Sequence, residues 1–520
     1  MHAGSLFSSV IVGYLASEIS ASLSMSVRKK LFRKVQKLAM NEIKAFSTSS
    51  LITRTTNDIT QIQMLLAMGL QLIIKAPITV VWAITKIVNK NLVWSGVVGA
   101  GVVILMSVVV TLMVIVVPRF KIVQKLIDKI NGVTRENLTG IRVVRAFNAE
   151  TYQENKFEKV NFDLTKQQTF NQKAFSIMSP TMYFVMHFLT LGIYFIGAYL
   201  IKDAGVVEKL SLFGDMVVFS SYAIQVIMSF LMLAFIFMML PRAQVSCNRI
   251  NEVLDTEISI KDGTINSDTT NERGTVEFKN VAFMYPDGEE YVLKDISFKA
   301  NKGETVAFIG STGSGKSTLI NLIPRFYEAT EGEVLVDGVN VKDYTQDFLH
   351  DKIGYISQKA VIFNTTVNEN IAYGKDDISK EKIKKAIEVA QAKDFVEKME
   401  NNYETQMAQG GTNVSGGQKQ RLSIARAIAR EPEIYIFDDS FSALDYKTDS
   451  ILRKELKKHT KDATTLIVAQ RIGTIINSDK IIVLDEGKIV GEGTHKELLK
   501  NCEVYKQIAL SQLSEKELEC

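Results

Sequence analysis

Cysteine is scarce in this chain: three in 520 residues, Cys247, Cys502 and Cys520. So few, and odd in number, they argue against a disulfide framework and suit a reducing compartment. An excess of one charge is also missing. Lys and Arg total 61 against 57 Asp and Glu, a formal net charge of +4, so composition calls for no nucleic-acid partner. The N-terminus lacks the basic stretch that opens a secretory signal. Met1 to about Leu15 is apolar, but the segment runs on toward Met25 before Arg28-Lys29-Lys30. What is present divides in two. The first 245 or so residues carry long apolar runs, and the rest alternates short strands with charged helices, so the length reads as more than one domain.

Five segments reach spanning length on a window of about 20 residues: roughly 5–25, 70–88, 92–117, 178–201 and 212–240. The connection after the first carries Arg28, Lys29, Lys30, Arg33, Lys34, Lys37, Lys44 and Arg54. The connection after the third carries Arg119, Lys121, Lys125, Lys129, Arg135, Arg142 and Arg145. The opposite connections, Asn89–Asn91 and Lys202–Ser211, are short. Excess Lys and Arg mark the cytoplasmic side, so both long basic segments and everything after the last span are expected there. Lys75, beside Pro77, is expected at the lower interface with its stem snorkelling. Glu18 and His187 fall inside candidate spans and face either a substrate cavity or a neighbouring helix.

In the second half, Gly310-Ser311-Thr312-Gly313-Ser314-Gly315-Lys316-Ser317 fits the phosphate-binding loop G-x-x-x-x-G-K-[ST]. The apolar stretch Thr305–Ile309 precedes it, and Ser317-Thr318-Leu319-Ile320 opens a helix, the strand–loop–helix context the motif needs. Backbone N–H groups of such a loop cradle phosphates, Lys316 reaches the β- and γ-phosphates, and Ser317 ligates Mg²⁺. Asp438 closes the apolar run Ile434-Tyr435-Ile436-Phe437, a buried strand delivering a second Mg²⁺-binding oxygen. Ser415, Gly416 and Gly417, before another helix, offer a hydroxyl and free N–H groups to a second anion.

Val414-Ser415-Gly416-Gly417-Gln418, followed by Lys419-Gln420-Arg421-Leu422-Ser423, resembles the signature motif of ATP-binding-cassette (ABC) transporters. The stretch 47–58, ending Arg54-Thr55-Thr56-Asn57-Asp58, and the stretch 135–147 are similar to the two intracellular loops of ABC exporters, in the right order between the spans. The resemblance covers nearly the whole chain. It implies an α-helical transmembrane domain (1–250), a linker (251–270) and an α/β P-loop nucleotide-binding domain (271–520), acting as an ATP hydrolase coupled to transport with ATP and Mg²⁺ as cofactors. It further implies that Tyr285 stacks adenine, that Gln358 touches Mg²⁺ or the attacking water, and that Ser415 to Gln418 and Asp445 meet nucleotide across a dimer interface. Such a half usually has six spans, so the resemblance implies that the first is absent, through a late start codon or a shortened form.

Two positions depart from the family pattern. A catalytic Glu usually follows the strand-end Asp, and a later switch residue is usually His; here they are Asp439 and Gln470. The expectation is a subunit with an impaired ATP site and an intact signature, paired with an unlike half-transporter in the lipid bilayer, and exporting a hydrophobic or amphipathic small molecule. Alternatives are a homodimeric lipid or peptide exporter, and a soluble ABC ATPase acting on nucleic acid or translation, which the five spans disfavour.

Overall fold

The computed structural model describes residues 2–88, 92–202, 205–375 and 377–513. They form two compact units: residues 1–36 with Phe46–Thr256, and Lys37–Ala45 with Glu257–Cys520.

The first unit is helical. Its long helices are α1 (His2–Lys37), α4 (Ile59–Val88), α5 (Leu92–Thr139), α7 (Glu150–Ser176), α8 (Met178–Lys202) and α9 (Val206–Asp255). Between α1 and α4 stand the short α2 (Met40–Phe46), α3 (Thr48–Thr53) and a π-helical turn, Arg54–Asp58; α6 (Ile141–Ala146) joins α5 to α7. Five helices among the described residues are long and apolar enough to cross a membrane. The five expected spans fall on α1, α4, α5, α8 and α9. Asn89–Asn91 and part of the Lys202–Ser211 connection lie outside the described residues.

Large apolar side chains stay exposed on this unit, Phe184, Phe188 and Phe195 among them, as lipid contact allows when no water is present to drive helices together. Close approach of backbones holds such a bundle instead. A Cβ on Gly101 would lie 2.5 Å from Leu189, and one on Gly197 would lie 2.6 Å from Met216 Sδ. Trp94 is fully buried against Phe219 and donates its indole N–H to the Ile193 carbonyl at 3.1 Å. Glu18, Lys75 and His187 are exposed in the single chain.

At the polar end of this unit the π-helical turn ties to α9. Arg54, buried, donates to the Arg249 carbonyl at 2.8 Å and pairs with Glu252 at 2.7 Å. Asp58, also buried, accepts from the Ser246 hydroxyl at 2.9 Å and lies 3.8 Å from Arg249.

The second unit holds two sheets. Strands β1 (Val276–Phe283), β2 (Leu293–Ala300), β4 (Glu331–Val336) and β5 (Val339–Asn340) form an antiparallel sheet in the order β2-β1-β4-β5. Strands β3 (Thr305–Gly310), β6 (Ile353–Ile356), β7 (Ile434–Asp438), β8 (Thr464–Val468), β9 (Lys480–Asp485) and β10 (Lys488–Gly493) form the larger sheet, ordered β10-β9-β3-β8-β7-β6. It is parallel except for β10. Helices α10 (Lys316–Leu322), α11 (Gln346–Asp351), α12 (Val367–Ile371), α13 (Lys380–Val389), α14 (Lys393–Val396), α15 (Gly416–Ala429), α16 (Tyr446–His459), α17 (Ile472–Ile475), α18 (His495–Asn501) and α19 (Glu503–Gln512) complete the unit. The parallel strands read as continuous apolar runs because both faces are covered. Along β7, Ile434 and Ile436 enter one core with Phe308 and Leu319, while Tyr435 and Phe437 enter the other with Leu422 and Leu452.

The stretch before β1 packs on this unit. Asp268 reaches Lys352 at 2.7 Å, and the same ammonium meets Asp337 at 2.8 Å and Glu433 at 3.0 Å. These three carboxylates have metal-site spacing, yet the lysine sits among them. Burial alone would pull the Lys352 ammonium down, but the three acceptors outweigh it and hold it above the usual lysine range.

Candidate functional site

Open parallel sheets leave ligand crevices beyond the carboxyl ends of their strands. Four neighbouring strands, β3, β8, β7 and β6, each end here in a residue singled out from sequence. The loop Gly310–Ser317 follows β3, Gln470 follows β8, Asp438 and Asp439 close β7, and Gln358 follows β6. Parallel register aligns them: Asp438 is opposite Val468, and Phe437 is opposite Ile356.

The phosphate loop has the backbone its glycines allow. Gly313 and Gly315 take φ of +89° and +95°, the left-handed region that disfavours side chains. A Cβ on Gly313 would meet nothing within 4 Å, so the space beside it is open. Lys316 Nζ donates to the carbonyls of Gly310 (2.9 Å) and Ser311 (2.7 Å) and lies 3.3 Å from Ser314 Oγ. Burial lowers its ammonium below the usual lysine range, with Asp439 and Asp438 opposing. Ser311 and Thr312 are exposed at the loop's crest.

Ser317 Oγ donates to Asp438 Oδ1 at 2.8 Å, across 121 positions of sequence. Tyr355 donates to Asn321 Oδ1 at 3.0 Å and stands 3.4 Å from Asp438 Oδ2. Burial raises the Asp438 carboxyl above the usual carboxylate range, against the hydrogen bonds from Ser317 and Tyr355. One hydroxyl and one carboxylate facing each other are hard oxygen donors of the kind Mg²⁺ takes, so the residues present fit that ion.

Asp439 follows in the left-handed region, φ 47°. Its Oδ2 accepts from both flanking amides, Gln470 Nε2 at 2.9 Å and Gln358 Nε2 at 3.3 Å. Desolvation raises its carboxyl, opposed by the hydrogen bond from Gln358. Gln512, on α19, clamps the switch loop from behind: it accepts from Ile472 N–H and donates to the Gln470 carbonyl, both at 2.8 Å.

Tyr285, just past the end of β1, shares a hydrogen bond at 3.0 Å with Thr318 and packs at right angles to Tyr327, ring centroids 5.3 Å apart. Ser415 caps α15 reciprocally. Its backbone N–H donates to Gln418 Oε1 at 2.9 Å, and its hydroxyl accepts from Gln418 N–H at 3.3 Å. Ser415 and Gly416 stay exposed. Asp445 caps α16 by accepting from Thr448 N–H at 3.0 Å, which holds its carboxyl below the usual range. The capping bonds of Ser415, Gln418 and Asp445 are thus local, apart from the phosphate loop of the same chain. Sequence reading missed Tyr355, Tyr327 and Gln512, whose roles come from contacts between distant segments.

The ABC transporter family profile matches residues 293–442, and the ABC transporter transmembrane region profile matches residues 1–230. The uncharacterised ABC transporter ATP-binding protein YfiB of Bacillus subtilis is 36% identical over 506 residues, covering 96% of this chain and 86% of that protein. A Staphylococcus aureus ATP-binding/permease protein named for multidrug export is 33% identical over 502 residues, covering 95% of this chain and 85% of its own length. The structure of a bacterial Atm1-family ABC exporter with ATP bound superposes with a TM-score of 0.82 at 25% identity, over 96% of this chain and 86% of that one. With its sheet-end loops, apolar helices and these relatives, the chain belongs to the ABC transporters, as an exporter half-transporter that fuses a multi-pass membrane domain to a cytoplasmic ATP-binding domain.

Proposed function

We propose that this chain is the subunit with the impaired ATP site in a heterodimeric exporter of hydrophobic or amphipathic compounds. Gly310 to Thr318 take the phosphates, with Lys316 against the β- and γ-groups and Tyr285 under adenine. Ser317 and Asp438, with Gln358 near them, hold Mg²⁺, which neutralises phosphate charge when bound. Ser415 to Gln418 and Asp445 serve the nucleotide of the partner half, so an exposed, preformed helix start suits them.

The observation that carries the impaired-site reading is the Asp439 carboxylate, one oxygen of which already accepts from Gln470 and Gln358. The side chain is also about 1.5 Å shorter than glutamate. Misplacing a general base costs roughly 10²–10⁴-fold in rate. Gln470 hydrogen-bonds but carries no positive charge near neutral pH, as a histidine could. One observation favours a slow homodimer instead: at φ 47°, aspartate is better tolerated than longer side chains, so its presence also answers the backbone. The mostly apolar spans and the relative named for multidrug export support the substrate class.

The test is ATP-dependent uptake of an amphipathic fluorescent dye by inside-out vesicles holding this chain with an unlike half-transporter. Uptake is expected for the pair and is lost with Lys316→Ala in this chain or with the signature serine changed, Ser415→Arg. Equal uptake by this chain alone would contradict the heterodimer.

A further inference from the structure

Arg28, Lys29, Lys30, Arg33, Lys34 and Lys37 all lie on α1, and no Asp or Glu stands between Glu18 and Glu42. None of the ion pairs among the described residues involves α1; those of the membrane unit join Arg54 to Glu252, Lys156 to Glu136 and Arg249 to Asp58. Lys29, Lys30 and Arg33 are exposed, and Lys34 is half-buried.

At 3.6 residues per turn, Leu15, Ile19, Leu23, Ser26, Lys30 and Arg33 fall along one stripe of α1, and all six are exposed. Ala16, Ser20, Ser24 and Leu31 are buried on a separate side. The stripe is thus apolar where the helix spans and cationic just past the end of the span. Counting from Met25, Lys29 and Lys30 stand about 6–8 Å beyond the apolar core, at headgroup depth. Arg33 and Lys34 stand about 12–14 Å beyond it, and their long stems reach back toward the phosphates.

We propose that Lys29, Lys30, Arg33 and Lys34 bind the phosphodiester headgroup of an anionic phospholipid of the cytoplasmic leaflet, with its acyl chains along Leu15, Ile19 and Leu23. Orienting the chain in the membrane needs only an excess of positive charge on one side, which a solvated basic face would supply. Selecting a lipid needs more: cationic and apolar groups continuous on one exposed face, as α1 has them. Charge complementarity sets the class, because a zwitterionic headgroup brings no net charge to four cations that lack acidic partners. Each Lys or Arg near an anionic surface is worth about fivefold. The four stand at different depths, so the expected preference for anionic over zwitterionic lipid is about tenfold rather than the full product.

The experiment uses the purified full chain in detergent micelles holding equal amounts of phosphatidylglycerol and phosphatidylcholine, with retained lipid counted by native mass spectrometry. The native chain is expected to keep phosphatidylglycerol about tenfold over phosphatidylcholine, and equal retention would overturn the proposal. Lys29→Gln, Lys30→Gln, Arg33→Gln and Lys34→Gln together are expected to cut the preference to about twofold or less. Lys30→Gln with Arg33→Gln should fall between, which keeps the test open if the fourfold variant does not insert. Lys29→Arg with Lys30→Arg should retain the native preference. The matched control changes four exposed lysines of the ATP-binding unit, Lys380, Lys384, Lys385 and Lys398, to Gln and should alter nothing. An unchanged preference in the α1 variants, or an equal loss in the control, overturns the assignment. Millimolar inorganic phosphate should leave the lipid in place, since it has no chain for the apolar part of the stripe. Displacement by phosphate would mark a soluble-anion site instead and would also overturn the proposal. A phosphatidylglycerol with a photoreactive acyl chain is expected to label α1 between Leu15 and Leu23, and labelling confined to other helices contradicts the placement.

Discussion

At Lys316 a single ammonium faces a loop built from backbone N–H groups, and its removal tests the phosphate assignment. Lys316→Ala is expected to weaken Mg-ATP binding by about 10- to 150-fold, the worth of a charge-assisted hydrogen bond. Equilibrium binding of labelled ATP to the purified chain checks it, and an unchanged affinity would undo the assignment. Gln512 makes a subtler case. Its amide holds both ends of the Gln470–Ile472 turn from α19 without touching the sheet-end carboxylates. Gln512→Ala is expected to loosen that turn, seen as faster amide exchange at 470–472, while nucleotide affinity stays within about twofold, as befits a surface change away from the ligand. Gly310 to Ser317 and Asp438 were legible in the sequence because a glycine pattern and a strand-end acid are local signals. Tyr355 and Tyr327 were not, since a tyrosine at a strand or helix end looks the same whether it packs or serves a site. The pairing of Ser317 with Asp438 depends on β3 and β7 standing one strand apart, which no local pattern states.

Among the elements, Lys352 shows how a charged side chain organises a fold. It joins the stretch before β1, the start of β6 and the turn before β7 through three carboxylates. Lys352→Met leaves Asp337 buried beside two other acids, and the expected loss is about 3–5 kcal/mol, the cost of breaking a buried ion pair on one side. A fall in the unfolding midpoint of the ATP-binding unit, measured on the full chain, checks it. The same cluster sets a direction with pH. The hydrogen bond from Lys352 holds Asp268 below the usual carboxylate range. A depressed native pKa contributes stability that is fully present above the unfolded value, near 4, and lost as pH falls through the lowered one. The unfolding midpoint is therefore expected to drop on acidification below about pH 4, and Asp268→Asn should flatten that drop. At the other end of the chain, Asp58→Ala leaves the Ser246 hydroxyl without its acceptor and Arg249 without its acid. It is expected to cost about 1–3 kcal/mol, read as earlier thermal unfolding in detergent. The apolar runs gave away the five helices that carry the expected spans, α1, α4, α5, α8 and α9, because spanning length is a property of composition alone. The tie between the Arg54–Asp58 turn and α9 was hidden, since its partners are far along the chain.

Taken together, the chain couples two solvents: helices apolar on their outer faces for lipid, and a sheet whose strand ends collect phosphate-binding and acidic groups. Membership of the ABC transporters accounts for both, and the proposed impaired site rests on the departures at Asp439 and Gln470. The most direct measurement is steady-state ATPase of the purified full chain, alone and reconstituted with an unlike half-transporter. The chain alone should turn over slowly. The variant carrying Asp439→Glu and Gln470→His should gain at least about tenfold, part of the roughly 10²–10⁴-fold that a well-placed base supplies. The heterodimer should be fast, and Asp439→Asn in this chain should leave its rate nearly intact. Robust turnover by the native chain alone, lost with Asp439→Asn, would contradict the account, because Asp439 would then be a working base in a competent site.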